Sequence, residues 1–577
     1  MKKRILAFIL ASALLLSFAS CSKENAEETD KPTESVSEGT DETEKNEESV
    51  SVNGILLSGK TPYRIVFTEG NKGYANKILD KLIALDSVNA QKVGFYKTVL
   101  DTATADDGSP EILIGLTNRE ASAKAKSELP TYLDYSITVS ENKITIFANT
   151  EDRLEEAVNQ FISLIKKEQD SYVIYSGESS IINSHGKYLF ETLKISEDDI
   201  KDYSIILPSE PTNSDKSFAL ALQAWVAESI GFEPNLSSDS QAETEKEILI
   251  GATSRALDSS ITSEITSVEN DNFYFKQSGK KLILSAKTDS GYKKLFNALK
   301  SQFAKNSGVL PQDTALTQTV SLDGTKAIFI GNSYIYYGNC VIYGNETQSD
   351  IGYFHQICKA NGDDVTVYDY TFGGKDAKWI YDNHLANTTE EFRNSIDYVF
   401  ISESIRNTAD VVERVNLVGD LFPNAKKKIF LNHASSAQGN EAQVVSELEA
   451  LAAEGYLIAN WGSLVYDVWR GALKVPNATC SYDKNSFIVN KEDTHHQNLL
   501  SGYITSQMAY CVVSGASALG QDYSFCGDIG INLRFGFEKF KQDFYNPNST
   551  NFDKIFNSPA DMQGLQALMD QYIAKYN

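Results

Sequence analysis

Three short stretches of this 577-residue chain carry residues that could do chemistry. In Gly331-Asn332-Ser333 a serine follows directly on an apolar run and a glycine, so its hydroxyl can stand at the end of a strand. The same tripeptide is also an ordinary turn signal, because Gly and Asn tolerate the backbone conformations that turns demand. In Asp493-Thr494-His495-His496 a carboxylate precedes an imidazole by three residues. Such an Asp can fold back in a loop to hold one tautomer of His496, which can then take a serine proton. For a lone His-His pair a structural role or a chance metal contact is the alternative, and no carboxylate cluster elsewhere completes a metal site. The third stretch, Phe372-Gly373-Gly374-Lys375, offers backbone N–H groups that a ligand can approach closely, or simply a tight turn.

These residues need a frame. After Gly324 short apolar runs at 327–330, 365–370, 398–401, 429–432 and 457–460 alternate with helical patterns at 351–360, 409–421, 441–453 and 464–473. A further helix is expected over 499–513. Strands that are apolar throughout, separated by helices, predict a parallel sheet covered on both faces. In such sheets ligands sit beyond the carboxyl ends of the strands, where Ser333 and Gly373 would stand.

Serine after the first strand, glycine after the second and Asp-x-x-His before the last helix, in this order, resemble the SGNH (GDSL-type) hydrolases. The closest pattern is that of versions with Gly-Asn-Ser where others have Gly-Asp-Ser. The resemblance covers residues 326 to about 520. It implies a flavodoxin-like three-layer α/β/α fold, with Ser333 as nucleophile, His496 as general base in preference to His495, and Asp493 as its orienter. It also implies an oxyanion hole from the N–H of Ser333 and of Gly373 or Gly374. The family's third block supplies an Asn or Gln amide after the third strand; here stand Ser402 and Glu403, with Asn407 several residues on. Loss of one good donor costs about 10²–10³ in rate, and a carboxylate there would repel a developing oxyanion.

Residues 51–323 repeat themselves. Glu111-Ile112-Leu113-Ile114-Gly115, with Arg119 after it, recurs as Glu247-Ile248-Leu249-Ile250-Gly251 with Arg255. Tyr63 to Phe67 answers Tyr203 to Leu207, and hairpin patterns at 135–146 and 273–284 follow in each copy. Two small α+β repeats, 51–185 and 186–323, each β-α-β-β-β-α, are therefore expected ahead of a C-terminal domain at 324–577. They resemble the accessory α/β domain that precedes the catalytic barrel of several glycoside hydrolases, such as hexosaminidases.

The N-terminus predicts an address. Lys2, Lys3 and Arg4 precede an apolar run too short to span a bilayer as a mature helix, and Phe18-Ala19-Ser20-Cys21 resembles a lipoprotein cleavage box. Residues 1–20 are thus expected to be a lipoprotein signal peptide, with Cys21 lipidated. Residues 22–50 hold eleven Asp or Glu against three Lys, which predicts a disordered tether over 21–50. The expected location is the extracytoplasmic face of a membrane. A net charge of −25 argues against nucleic acid. Five cysteines remain after Cys21, without metal-ligand spacing, and read mostly as small buried hydrophobes.

Together these readings predict a serine esterase that deacetylates, or otherwise deacylates, ester-substituted carbohydrate through an acyl-Ser333 intermediate, with no metal or cofactor. The alternative is a non-catalytic glycan-binding or scaffold lipoprotein with an inactive domain of the same family. A lipase or thioesterase is a third reading. Tyr334, Tyr336, Tyr337, Trp379 and Trp461 are candidates for stacking on sugar rings, against the commoner reading as packing.

Overall fold

The structure is a computed structural model that describes residues 53–168, 172–316, 318–341, 352–405, 410–433, 441–488, 496–527 and 558–577. Cys21 and the acidic segment lie outside the described residues. The chain is mixed α/β, with parallel strands in four of its sheets among the described residues. No helix among the described residues is long and apolar enough to cross a membrane.

The two repeats share one strand order. In the first, Thr98–Leu100, Arg64–Phe67, Glu111–Ile114, Lys143–Ala148 and Tyr135–Ser140 lie side by side, with Ser180–Asn183 added at the end. In the second, Asn235–Ser238, Ser204–Leu207, Glu247–Ile250, Lys281–Ala286 and Phe273–Ser278 take the same places. Each copy has an edge strand beyond the expected pattern, at 98–100 and 235–238. These strands are short and incompletely buried, so no apolar alternation announces them.

The repeated motif has a physical cause. Glu111 opens the central strand fully buried, paired with Arg119, Lys143 and Arg64. Glu247 is buried in the same place, paired with Arg255 and Lys281. A buried carboxylate is tolerable only with such partners. Gly115 and Gly251 then turn the chain at φ +75° and +70°, where a side chain would also strike Asn71 or Asp215.

The C-terminal sheet consists of β1 (Lys326–Gly331), β2 (Thr366–Thr371), β3 (Tyr398–Ile401), β4 (Lys427–Leu431) and β5 (Leu457–Ala459). All its pairings are parallel, in the order β2-β1-β3-β4-β5. Successive side chains enter opposite cores. Ala327, Phe329, Phe400, Ile429 and Ala459 meet the helices Tyr353–Ala360, Trp461–Trp469, Leu499–Ser514 and Pro559–Ala574. Ile328, Ile330, Val399, Ile401 and Ile458 meet Ala377–Asn383, Val411–Gly419 and Glu441–Ala453. Both faces are covered, which is why the strands, apart from the buried Asp369 of β2, read as largely apolar runs.

The second repeat joins this domain through its Asp289–Lys305 helix. Lys294 Nζ lies 3.1 Å from Asp363 Oδ1 with both side chains almost fully buried. Ser321 and Tyr510 also donate to that carboxylate, at 3.0 and 3.3 Å. Asn297 donates to Asn361 at 2.9 Å. Burial pushes the Asp363 carboxyl above the usual range, against the pull of Lys294 and Ser321. Lys294→Met removes the counter-charge and should cost about 3–5 kcal/mol at neutral pH. Protonated Asp363 carries no such penalty, so the deficit should grow as pH rises through the carboxylate range and shrink as pH falls. Urea unfolding of wild type and variant at pH 4 and pH 7 measures both; equal deficits would mean that the carboxylate does not titrate against this contact.

Candidate functional site

At the carboxyl end of β1 the chain passes through Gly331 and Asn332 into a single helical turn, Ser333–Tyr336. Asn332 makes the turn: its side chain accepts from the Tyr334 N–H at 3.1 Å, and its amide donates to the Lys375 carbonyl at 3.3 Å. The second bond ties the serine loop to the Gly373–Gly374 turn after β2. Gly374 has φ +70°, and a side chain on Gly373 would sit 3.1 Å from the Tyr336 hydroxyl. Sequence reasoning treated Asn332 as part of a motif and missed this bridging role.

From the other side comes the segment leading into Leu499–Ser514. His496 Nε2 lies 2.8 Å from Ser333 Oγ. The two residues, 163 apart in sequence, are thus brought together as a nucleophile and a base require. Their neighbours fix the approach. Gln497 donates to the carbonyls of Tyr334 and Ile335, and its own oxygen accepts from Thr505 at 3.1 Å. Asn498 caps the helix by accepting from the Ser501 N–H, and donates to the Ser486 carbonyl at 2.9 Å.

The closest approach is between backbones. An added Cβ on Gly338 would lie 2.5 Å from Gly502 Cα, and one on Gly502 would lie 1.6 Å from the Gly338 carbonyl oxygen. Only glycine at both positions lets the serine segment rest on the helix. An isolated glycine inside a helical pattern is the signal that could have pointed there.

Of the remaining expected residues, Asp493, His495 and Asn407 lie outside the described residues. Ser402 is buried at the end of β3, its Cβ 3.0 Å from where a side chain on Gly331 would begin. Glu403 is turned to structural work rather than toward an oxyanion. Its carboxylate accepts from the N–H of Ala377 at 2.6 Å and of Ser404 at 2.7 Å, with Arg414 at 3.6 Å. Burial pushes its carboxyl up, against the lowering effect of these contacts. The aromatic residues offered for sugar stacking are largely engaged within the protein. Trp461 is fully buried core, Trp379 packs on Phe372 and His384, and Tyr334 and Tyr337 lie against histidine rings. Cys340, Cys358, Cys511 and Cys526 are buried. Among the described residues no group of three His, Cys, Asp or Glu could hold a metal ion.

No protein-family model matches the chain, and no curated protein does. The solved structures it matches include the family 20 β-N-acetylhexosaminidase of Streptomyces coelicolor, at 11% identity and TM-score 0.17, over 90% of this chain and 94% of that one. A β-hexosaminidase of Streptomyces plicatus matches at 12% and 0.17, over 91% and 93%. The exo-β-N-acetylglucosaminidase of Vibrio harveyi matches at 12% and 0.19, over 71% and 58%. At such TM-scores these likenesses assign this chain neither a fold nor an activity. The expected membership in the SGNH hydrolases is nonetheless corrected: no model of that or any other family matches, and the structures matched are glycoside hydrolases. The esterase assignment, with its deacetylated carbohydrate, and the inactive member of the same family go with it. The physical reason is the brevity of the motifs. A turn serine, two glycines and a histidine before a helix can stand at the edge of any parallel sheet, so they carry chemistry without carrying a family.

Gly502→Ala tests the backbone contact. The methyl group must push Gly338 away, which should cost about 1–3 kcal/mol of stability as overpacking. An unchanged unfolding midpoint in urea would show that these backbones do not touch.

Proposed function

We propose that the C-terminal α/β domain is a hydrolase that works by covalent catalysis on Ser333, with His496 as its base. The observation that supports this reading best is the 2.8 Å contact of His496 Nε2 with Ser333 Oγ at the carboxyl edge of the sheet. Nε2 accepts the hydroxyl proton as the oxygen attacks an electrophilic centre. The imidazolium formed returns that proton to the leaving group, and water then releases the adduct by the same route. The backbone N–H groups of Ser333, Gly373 and Gly374 are the candidates for stabilising the negative oxygen. Asp493 and Asn407 would serve as orienter and further donor. A flavodoxin-like strand order, β2-β1-β3-β4-β5, supports the reading because it gathers the ends of β1 and β2 beside each other. No step of this scheme passes through a metal or cofactor.

A fluorophosphonate probe tests the nucleophile without presuming a substrate. It should form one adduct on the full chain, mapped by peptide mass to Ser333, and Ser333→Ala should not react. His496→Asn should label more slowly, by about 10²–10⁴, the usual contribution of a positioned base. Equal labelling of wild type and Ser333→Ala would remove the proposal.

A further inference from the structure

Ser333 and Tyr337 stand one helical turn apart. The Tyr337 N–H donates to the Ser333 carbonyl at 3.1 Å, which fixes the one backbone on the other. Residues four apart on a helix face the same way. Accordingly the Tyr337 ring lies against the His496 ring, centroids 4.2 Å apart and planes within 18°. Tyr334 lies beside the same imidazole at 5.4 Å and 28°. Tyr334 is itself backed by His433, fully buried after β4, at 3.8 Å and 2°. The next residue, Gly338, is held against Gly502, so the tyrosine platform cannot drift from the helix that His496 precedes.

Rotation of the imidazole out of its plane would carry Nε2 off Ser333 Oγ, and loss of orientation is costly in a proton transfer. We propose that Tyr337 and Tyr334 are positioning residues, an aromatic clamp that fixes the plane of the His496 ring so that Nε2 stays on Ser333 Oγ. The proposal rests on the reading of Ser333 and His496 given above. It assigns the platform to the same turn that carries the nucleophile, so one short segment supplies both the attacking oxygen and the surface that aims its base. An aromatic face is what the clamp needs. The hydroxyl of Tyr337 is dispensable to it.

The test compares wild type, Tyr337→Phe and Tyr337→Leu as full chains. Fluorophosphonate labelling of Ser333 should stay within about twofold of wild type in Tyr337→Phe and fall in Tyr337→Leu, by up to on the order of 10²-fold. With the six histidines labelled with carbon-13 at Cε1, and the His496 signal identified by its absence in His496→Asn, ring stacking should show as an upfield ring-proton shift. That shift should persist in Tyr337→Phe and vanish in Tyr337→Leu. Labelling of Tyr337→Leu at the wild-type rate would overturn the clamp. So would a Phe variant as slow as Leu, which would place the effect in the hydroxyl. The absence of an upfield shift in wild type would overturn it too. Failure of the hydrolase reading looks different: Ser333 would not label at all, while the ring shift and its loss in Tyr337→Leu would remain.

Discussion

The carbonyl oxygen of Gly338 occupies the space in which any other residue at 502 would place its Cβ, and Gly338 is barred from a side chain in the same way by Gly502. Two backbones in contact leave no room for a compromise in register. The serine turn therefore sits at one height on the Leu499–Ser514 helix, and His496, three residues before that helix, meets Ser333 rather than a neighbour. Everything nearby reinforces this setting. Gln497 holds the carbonyls of the serine turn while its own oxygen is held by Thr505. These are neutral hydrogen bonds, two of them to backbone, and each fixes direction without bringing a buried charge that would need a partner.

The helix that receives this contact must itself be immovable. All sixteen of its residues are buried, so it has no solvent face on which to roll. Its hydroxyls could not be buried unpaired, and the helix meets part of the demand internally. Thr505 donates to the Ser501 carbonyl, Ser506 to Gly502 and Ser514 to Tyr510, each four residues back, at 2.7 to 2.8 Å. From outside, Pro559–Ala574 presses on it, with Gln566 donating to the Tyr503 hydroxyl at 2.8 Å. Its far end reaches the second repeat through Tyr510 and Asp363. The repeat is thus bound to the same core that positions the site, through a buried pair of opposite charges at Lys294 and Asp363.

Periodicity made the parallel sheet legible, because strands covered on both faces are apolar at most positions and five such runs are hard to mistake. The duplication was legible for another reason. A buried Glu, its Arg eight residues on and a turn glycine between them depend on one another, and all three recur at the same spacing in 111–119 and 247–255. The edge strands at 98–100 and 235–238 were not legible, since a strand with one neighbour and an open side needs no apolar pattern. The proximity of Ser333 and His496 was legible. The family attached to it was not, because short loop motifs are shared by necessity among sheets of this kind. The roles of Tyr337, Gln497 and Gly502 were hidden because each depends on a partner far away in sequence, and spacing along the chain reports only local geometry.

Glu403 shows how far an environment can redirect a residue. Read from sequence, a carboxylate beside a nucleophile opposes any charge that develops on a bound oxygen, since like charges in a poorly screened site repel over several ångströms. In the fold its two oxygens are taken by the N–H groups of Ala377 and Ser404, and Arg414 lies behind it. Its charge is thereby spent holding the end of β3 to the start of the Ala377–Asn383 helix, which follows the Gly373–Gly374 turn. That turn is tied in its own way to Asn332 at the end of β1. The carboxylate that looked hostile to an oxyanion is a strut for the loops beside it. Burial raises its carboxyl, and that is the cost of placing the strut inside the domain instead of on its surface.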